Sequence, residues 1–240
     1  VTTLPRPEAR PLNYVALTEV ILLGGTSTLL LTKWLRGQLS FYIHPRYTAL
    51  MVVAALVLLV MAVVRMRGVF SQPAGRLSWA YLLLATPLLL GTLVPARPLG
   101  ADTLAGRGVE LNSVGTSGRA ASLGGDTTRW SLLDWSTALT VRGDELAGSP
   151  ADVVGFVFHD EELGPDAFYV VRYVVTCCAA DGAGVGLPVQ WAGGAALPEN
   201  SWVRVRGSIA SATLAGAEQP ALRAEAVEPV EQPENPYLYP

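Results

Sequence analysis

Phe168-Tyr-Val-Val-Arg-Tyr-Val-Val-Thr-Cys-Cys-Ala-Ala-Asp181 decides how the second half of this chain folds. Phe168, Val170, Arg172, Val174 and Thr176 alternate with Tyr169, Val171, Tyr173 and Val175. Successive side chains of a strand point to opposite faces. Nearly all of these are β-branched or aromatic, so the run predicts a strand buried on both faces. It ends in the chain's two cysteines, Cys177 and Cys178, with Asp181 three residues on and a glycine-rich exit at Gly182, Gly184 and Gly186. A buried strand that delivers two thiols and a carboxylate to a turn is the most chemical feature of the sequence.

Outward from it, residues 152–158, 186–191, 202–210 and 222–229 read as further short strands. Turn residues separate them at Gly164-Pro-Asp166, Gly182–Gly184, Pro198-Glu-Asn200 and Gly216. Five strands at this spacing predict an all-β small barrel, OB-like in kind, within residues 128–240. Ahead of the strands, Thr128–Leu139 predicts a short helix capped by Thr128, with Trp130, Leu133 and Leu139 on its apolar face. The tail Glu231–Pro240 reads as extended, with Tyr237 and Tyr239 placed to fold back on the barrel.

The first half is of another kind. A mean hydropathy of +0.36 with 15% charged residues is too apolar for an ordinary soluble domain. Residues 1–98 predict an α-helical membrane anchor of three transmembrane helices, at about 14–32, 47–64 and 77–94, each near the ~20 residues that cross a bilayer. Pro87 lies inside the third, where a membrane helix tolerates it with a kink. Residues 99–127, rich in Gly, Ala, Ser and Thr, read as a flexible linker.

Three features of the anchor stand out. Glu19 lies one to two turns inside the first span, where a carboxyl faces protein or water or snorkels to the interface. Gly24-Gly-Thr-Ser-Thr28 offers a small-residue face for another helix. Phe41-Tyr-Ile-His-Pro-Arg46 fits an interfacial anchor. His44 and Arg46 are its polar members, and His44 is either an interface residue or a ligand or proton-handling group.

Residues 1–96 carry eight basic and two acidic residues; residues 97–240 carry nine and eighteen. A basic apolar half beside an acidic half reads as an anchor in the lipid bilayer plus a water-exposed domain. The acidic domain argues against nucleic acid as a partner, because phosphate binding needs a basic face. Arg6, Arg10, Arg65, Arg67 and Arg76 fall on one side of a three-span topology, and Lys33, Arg36, Arg46 and Arg97 on the other. That excess places the amino end in the cytoplasm and the C-terminal domain outside, in a multi-pass protein of the plasma membrane.

Vicinal cysteines on a regular strand point apart, so both bind one metal only where the strand ends or bulges. Thiolates suit zinc or copper(I), with Asp181 as a third ligand and His159 as a weaker candidate from the end of the neighbouring strand. Two other readings stay open. One is a strained, reducible ring disulfide between Cys177 and Cys178 in a membrane-anchored thiol redox protein. The other is a purely structural barrel in which both cysteines only line a turn. There is no CxxC, no HExxH, no phosphate loop and no nucleophile triad, so the sequence does not read as an enzyme.

Several segments resemble one family, the small bacterial permease subunits of the YcgQ type. They are Phe41–Arg46, Gly155-Phe-Val-Phe158, Arg172-Tyr-Val-Val-Thr-Cys-Cys-Ala-Ala-Asp181, Gly186-Leu-Pro-Val189, Trp202-Val-Arg-Val-Arg-Gly207 and Asn235-Pro-Tyr-Leu-Tyr239. The Cys-Cys-Ala-x-Asp segment is the most specific. The resemblance implies an integral membrane protein that works with a larger multi-span permease of the YraQ/YcgR type. It implies, less directly, a link to metal or metalloid handling. The long Gly/Ser/Ala tether at 105–128 departs from the family pattern. A non-enzymatic accessory subunit of a membrane permease is the function that this reading favours.

Overall fold

The computed structural model describes residues 12–71, 76–104, 109 and 124–240. The chain forms two compact units. One is Val1–Ser40 with Pro45–Arg97; the other is Phe41–His44 with Pro98–Pro240. The flexible tether expected after residue 104 lies, apart from Val109 and residues 124–127, outside the described residues.

The first unit holds three helices, α1 (Tyr14–Leu35), α2 (Thr48–Ser71) and α3 (Ala80–Leu93). Asn13 caps α1, its side chain accepting from the N–H groups of Val15 and Ala16. At ~1.5 Å per residue, α1 and α2 each exceed the ~30 Å of a hydrocarbon core. Both are long and apolar enough to cross a membrane. The third predicted span, 77–94, is shorter than expected. Its helix has 14 residues, starting after Trp79 and giving way to extended backbone at Val94. By its helical length alone α3 falls short of a full span.

Small residues bring these helices together. Ser27 Oγ donates to the Ala55 carbonyl at 2.7 Å, and Gly24 faces Ala62. A Cβ on Gly25 would stand 2.8 Å from Leu88, and one on Gly91 2.7 Å from Leu29. The small-residue face at 24–28 is thus spent largely on α2 and α3 rather than left open for a partner. The pairs Gly25–Leu88 and Leu29–Gly91 advance together, so α3 runs parallel to α1. Glu19–Arg65 and Ser27–Ala55 run in opposite directions, so α2 is antiparallel to α1.

The second unit is a five-stranded mixed sheet of β1 (Pro150–Phe158), β2 (Ala167–Val174), β3 (Ala183–Gln190), β4 (Trp202–Leu214) and β5 (Ala217–Pro229). Strand order is β1-β2-β3-β5-β4, and β4 pairs back onto β1, so the ring of pairings closes. All pairings are antiparallel except β3–β5. The last two strands are longer than predicted because they form one hairpin. Ala215 and Gly216 both take positive φ, as a two-residue turn requires.

The expected alternation in β2 is realised. Phe168, Val170 and Val174 enter an inner core with Val157, Leu187, Val205 and Leu222. Tyr169, Val171, Tyr173 and Val175 enter an outer one with Phe156, Leu163 and Tyr237. The predicted helix appears one turn later than expected, as α5 (Leu132–Arg142), after a single 3₁₀ turn at Thr127–Arg129. Its cap is Ser131, not Thr128, because Asp134 completes a capping box with Ser131. The helix packs Leu132, Leu133 and Trp135 on the inner core.

The outer core is covered by three segments far apart in sequence. The first is Leu99–Leu104, within the predicted linker, whose end forms the short helix α4 (Ala101–Leu104). The second is the tail. Leu238 donates to the Tyr173 carbonyl at 2.7 Å and accepts from Val175 N–H at 3.0 Å, extending the ladder along the open edge of β2. Arg172 fastens the tail by donating to the carbonyls of Asn235, Pro236 and Tyr237. The third is Phe41–His44. The buried Tyr237 hydroxyl joins all three, accepting from Leu99 N–H at 2.8 Å and donating to the Phe41 carbonyl at 3.1 Å. Tyr237→Phe leaves that N–H and that carbonyl without a partner. It should cost about 1–3 kcal/mol in thermal unfolding of the full chain in detergent. An unchanged melting temperature would mean water replaces the hydroxyl.

Candidate metal site

Strand β2 ends at Val174, before the cysteines, and the chain then bends into a 3₁₀ turn at Ala179–Asp181. That bend removes the obstacle of a regular strand. Cys177 Sγ and Cys178 Sγ stand 3.6 Å apart, as free thiols. Ligand atoms of Cys177, Cys178 and Asp181 all lie within 4.8 Å of one another. Cys177 and Asp181 are exposed and Cys178 half-buried. No other such group of three occurs among the described residues.

Asp181 builds the turn. One carboxylate oxygen accepts from Cys177 N–H at 2.7 Å, the other from Thr176 N–H at 3.1 Å. Desolvation works to raise its pKa. Hydrogen bonds from the Cys177 thiol and from the N–H groups of Cys177, Thr176 and Cys178 outweigh it and hold the carboxyl below the usual range. The same contact acts the other way on its partner. The hydrogen bond to Asp181, then that to Cys178, push the Cys177 thiol up to about 11. The turn therefore presents a carboxylate that is charged and a thiol that keeps its proton at neutral pH.

A second strand lies against this turn. Ile43 forms an antiparallel bridge with Cys178, His44 N–H donates to the Cys177 carbonyl at 3.0 Å, and Ala179 N–H donates to the Tyr42 carbonyl at 2.8 Å. The His44 ring rests on the Tyr239 ring, centroids 4.4 Å apart. Residue spacing alone does not reveal this docking, since some 130 positions separate the two segments. His159 does not join the thiols. Its Nε2 lies 2.9 Å from the Leu197 carbonyl oxygen and 3.9 Å from a Glu199 carboxylate oxygen. The end of β1 is tied to the loop before β4, not to the end of β2.

Within the helices, Glu19 is paired rather than snorkelled. Arg65 Nε donates to one carboxylate oxygen and Tyr81 Oη to the other, the latter at 2.9 Å. These three groups, with Leu22, Val60 and Leu84, line a largely apolar cavity of about 570 Å³. The signal for Arg65 was present in the sequence. It is an opposite charge near the end of α2 that meets the start of α1. Arg46 lies over the Tyr47 ring, 4.8 Å from its centroid, in a cation–π contact.

Family models match both halves of the chain: the DUF1980 N-terminal domain over residues 18–110 and the DUF1980 C-terminal domain over residues 128–240. The chain belongs to the DUF1980 family. It is also similar to a Streptococcus mutans protein named "Putative two-component membrane permease complex subunit", 24% identical over 91% of this chain and 97% of that protein. No solved structure matches. The family boundary at residue 128 falls just before the turn that leads into α5.

Two thiols and a carboxylate at this spacing could hold a soft or borderline metal. Removing the acceptor that holds the Cys177 proton should free its thiolate. Asp181→Asn should speed alkylation of Cys177 by iodoacetamide at pH 8 on the order of tenfold, because the thiolate is the nucleophile. Peptide mass mapping separates it from Cys178. An unchanged or slower rate would show that Asp181 does not set the thiol's protonation.

Proposed function

We propose that this chain is a non-enzymatic accessory subunit of a membrane permease, and that its second unit takes up a zinc ion as cargo through Cys177, Cys178 and Asp181. The observation that carries this reading is the 3.6 Å between the two sulfurs. Two zinc–sulfur bonds of ~2.3 Å at a tetrahedral angle hold their sulfurs about 3.8 Å apart. A linear copper(I) would hold them opposite each other, at about twice a bond length. The spacing accommodates zinc without moving the sulfurs far. The closed sheet, with β3 parallel to β5, is best read as an OB-like barrel. The permease role, and the larger multi-span partner it requires, rest on the resemblance and on the name of the streptococcal relative.

A thiol redox protein is the alternative. A thiol pushed up to about 11 is a poor nucleophile at neutral pH, which weighs against it.

The division into two units supports one topology. Phe41–His44 lies in sequence between α1 and α2, yet belongs to the unit of Pro98–Pro240. Those segments then share one side of the plasma membrane. Helix α2 carries the chain to the other side, so the segment holding α3 has to return. A 14-residue helix is about 21 Å long. Running parallel to α1, and extended by the apolar flanks Leu77–Trp79 and Val94–Pro95, it makes that crossing. We place the amino end in the cytoplasm and the second unit outside.

Zinc titration of the reduced full chain in detergent should show one site, lost in a Cys177→Ser/Cys178→Ser variant. Failure of the wild type to bind would overturn the reading. Because binding displaces thiol protons, affinity should rise with pH throughout the range below 11, by about 10- to 100-fold per unit for one or two protons. A flat profile between pH 6 and 8 would exclude thiolate ligation. The two cysteines are the chain's only thiols, so a membrane-impermeant maleimide reports sidedness directly. Labelling of intact cells is expected; labelling only after permeabilisation would place the site in the cytoplasm.

A further inference from the structure

We infer that His44 is the fourth ligand of the metal site, closing over an ion held by Cys177, Cys178 and Asp181. This rests on the zinc-binding reading. Three protein ligands leave a tetrahedral zinc one position short. The residue that the fold sets beside that position is His44. It lies opposite Cys177 across the bridge between Ile43 and Cys178, tied to it by the 3.0 Å hydrogen bond from its N–H to the Cys177 carbonyl. Residues so opposed carry Cβ atoms about 4.5–5.5 Å apart. Reaching the ion requires the imidazole to swing across that distance by rotation about the His44 Cα–Cβ bond.

The ring has a defined resting place elsewhere. The imidazole lies against the Tyr239 ring, centroids 4.4 Å apart. Ligand atoms of only the three turn residues stand within 4.8 Å of one another. Binding then has two stages. The turn residues capture the ion, and the imidazole leaves Tyr239 to complete the shell. An imidazole donor beside two thiolates and a carboxylate suits zinc.

The test uses cobalt(II) as the spectroscopic probe and zinc for affinity, on the full chain in detergent under reducing conditions. Wild type should show a thiolate-to-cobalt charge-transfer band and visible bands of tetrahedral intensity. His44→Asn should keep the charge-transfer band but shift or weaken the visible bands. Its zinc affinity should fall about tenfold or more, and added imidazole should restore the visible bands. Zinc-edge X-ray absorption of the wild type should carry the multiple-scattering signature of one imidazole, which needs no variant to fold. Wild-type absorption without that signature, or a His44→Asn spectrum and affinity equal to wild type, would overturn the inference while leaving thiolate binding intact. Absence of the charge-transfer band in the wild type would overturn both.

Discussion

Strand β2 has to be buried on both faces, because Phe168, Val170 and Val174 on one side and Tyr169, Val171, Tyr173 and Val175 on the other are all apolar or aromatic. A closed sheet supplies a lining for the inner face only. The outer face needs a cover of its own, and the chain draws it from Leu99–Leu104, from Tyr237–Tyr239 and from Phe41–His44. Magnitudes show what drives this. An aromatic ring buries ~150–250 Å², worth several kcal/mol at about 25 cal/mol per Å². A hydrogen bond contributes only ~1 kcal/mol net. Apolar cover therefore holds the segments on, and the Tyr237 hydroxyl and Arg172 guanidinium fix their register. The cysteine turn sits where two of these segments end.

Local pattern was legible in the sequence wherever one element decides it. The period of two in β2, the turn at Gly216 and the apolar length of α1 and α2 each depend on neighbouring residues alone. Other features were not legible because a distant partner decides them. The sequence does not say that Gly25 and Gly91 are there for Leu88 and Leu29 within the same bundle. Thr128 and Ser131 are equally good caps on paper. Asp134, three residues after Ser131, completes the capping box and moves the helix start. Leu99–Leu104 reads as linker by composition, yet a Gly100 carbonyl that accepts from Tyr173 and an Ala101 N–H that donates to Asn200 fasten it to the sheet. The Cys177–Cys178–Asp181 cluster was legible as a set. The approach of His44 was not, because it depends on a bridge across most of the chain.

Two of the helices are long and apolar enough to cross a membrane, where the same logic takes another form. Lipid gives apolar side chains little reason to associate, so contact comes from close backbone approach and polar pairing. Ser27 on Ala55 and the glycine contacts provide the first; Glu19, Arg65 and Tyr81 provide the second. An unpaired carboxylate at that depth is costly. The ion pair thus selects the arrangement in which the start of α1, the end of α2 and the start of α3 share one level. That common level is what lets α3, short as it is, run parallel alongside α1.

Asp181 serves two masters in the proposed site. Its oxygens cap Thr176 and Cys177 N–H and hold the bend that brings the sulfurs together, and its charge keeps the Cys177 proton in place. A zinc ion that takes a carboxylate oxygen competes with those N–H donors, and one that takes the Cys177 sulfur must displace a proton held up to about 11. Both costs lower net affinity without slowing access, since Cys177 and Asp181 are exposed. A site that spends part of its binding energy on its own scaffold holds the ion less tightly than one whose ligands are free to coordinate.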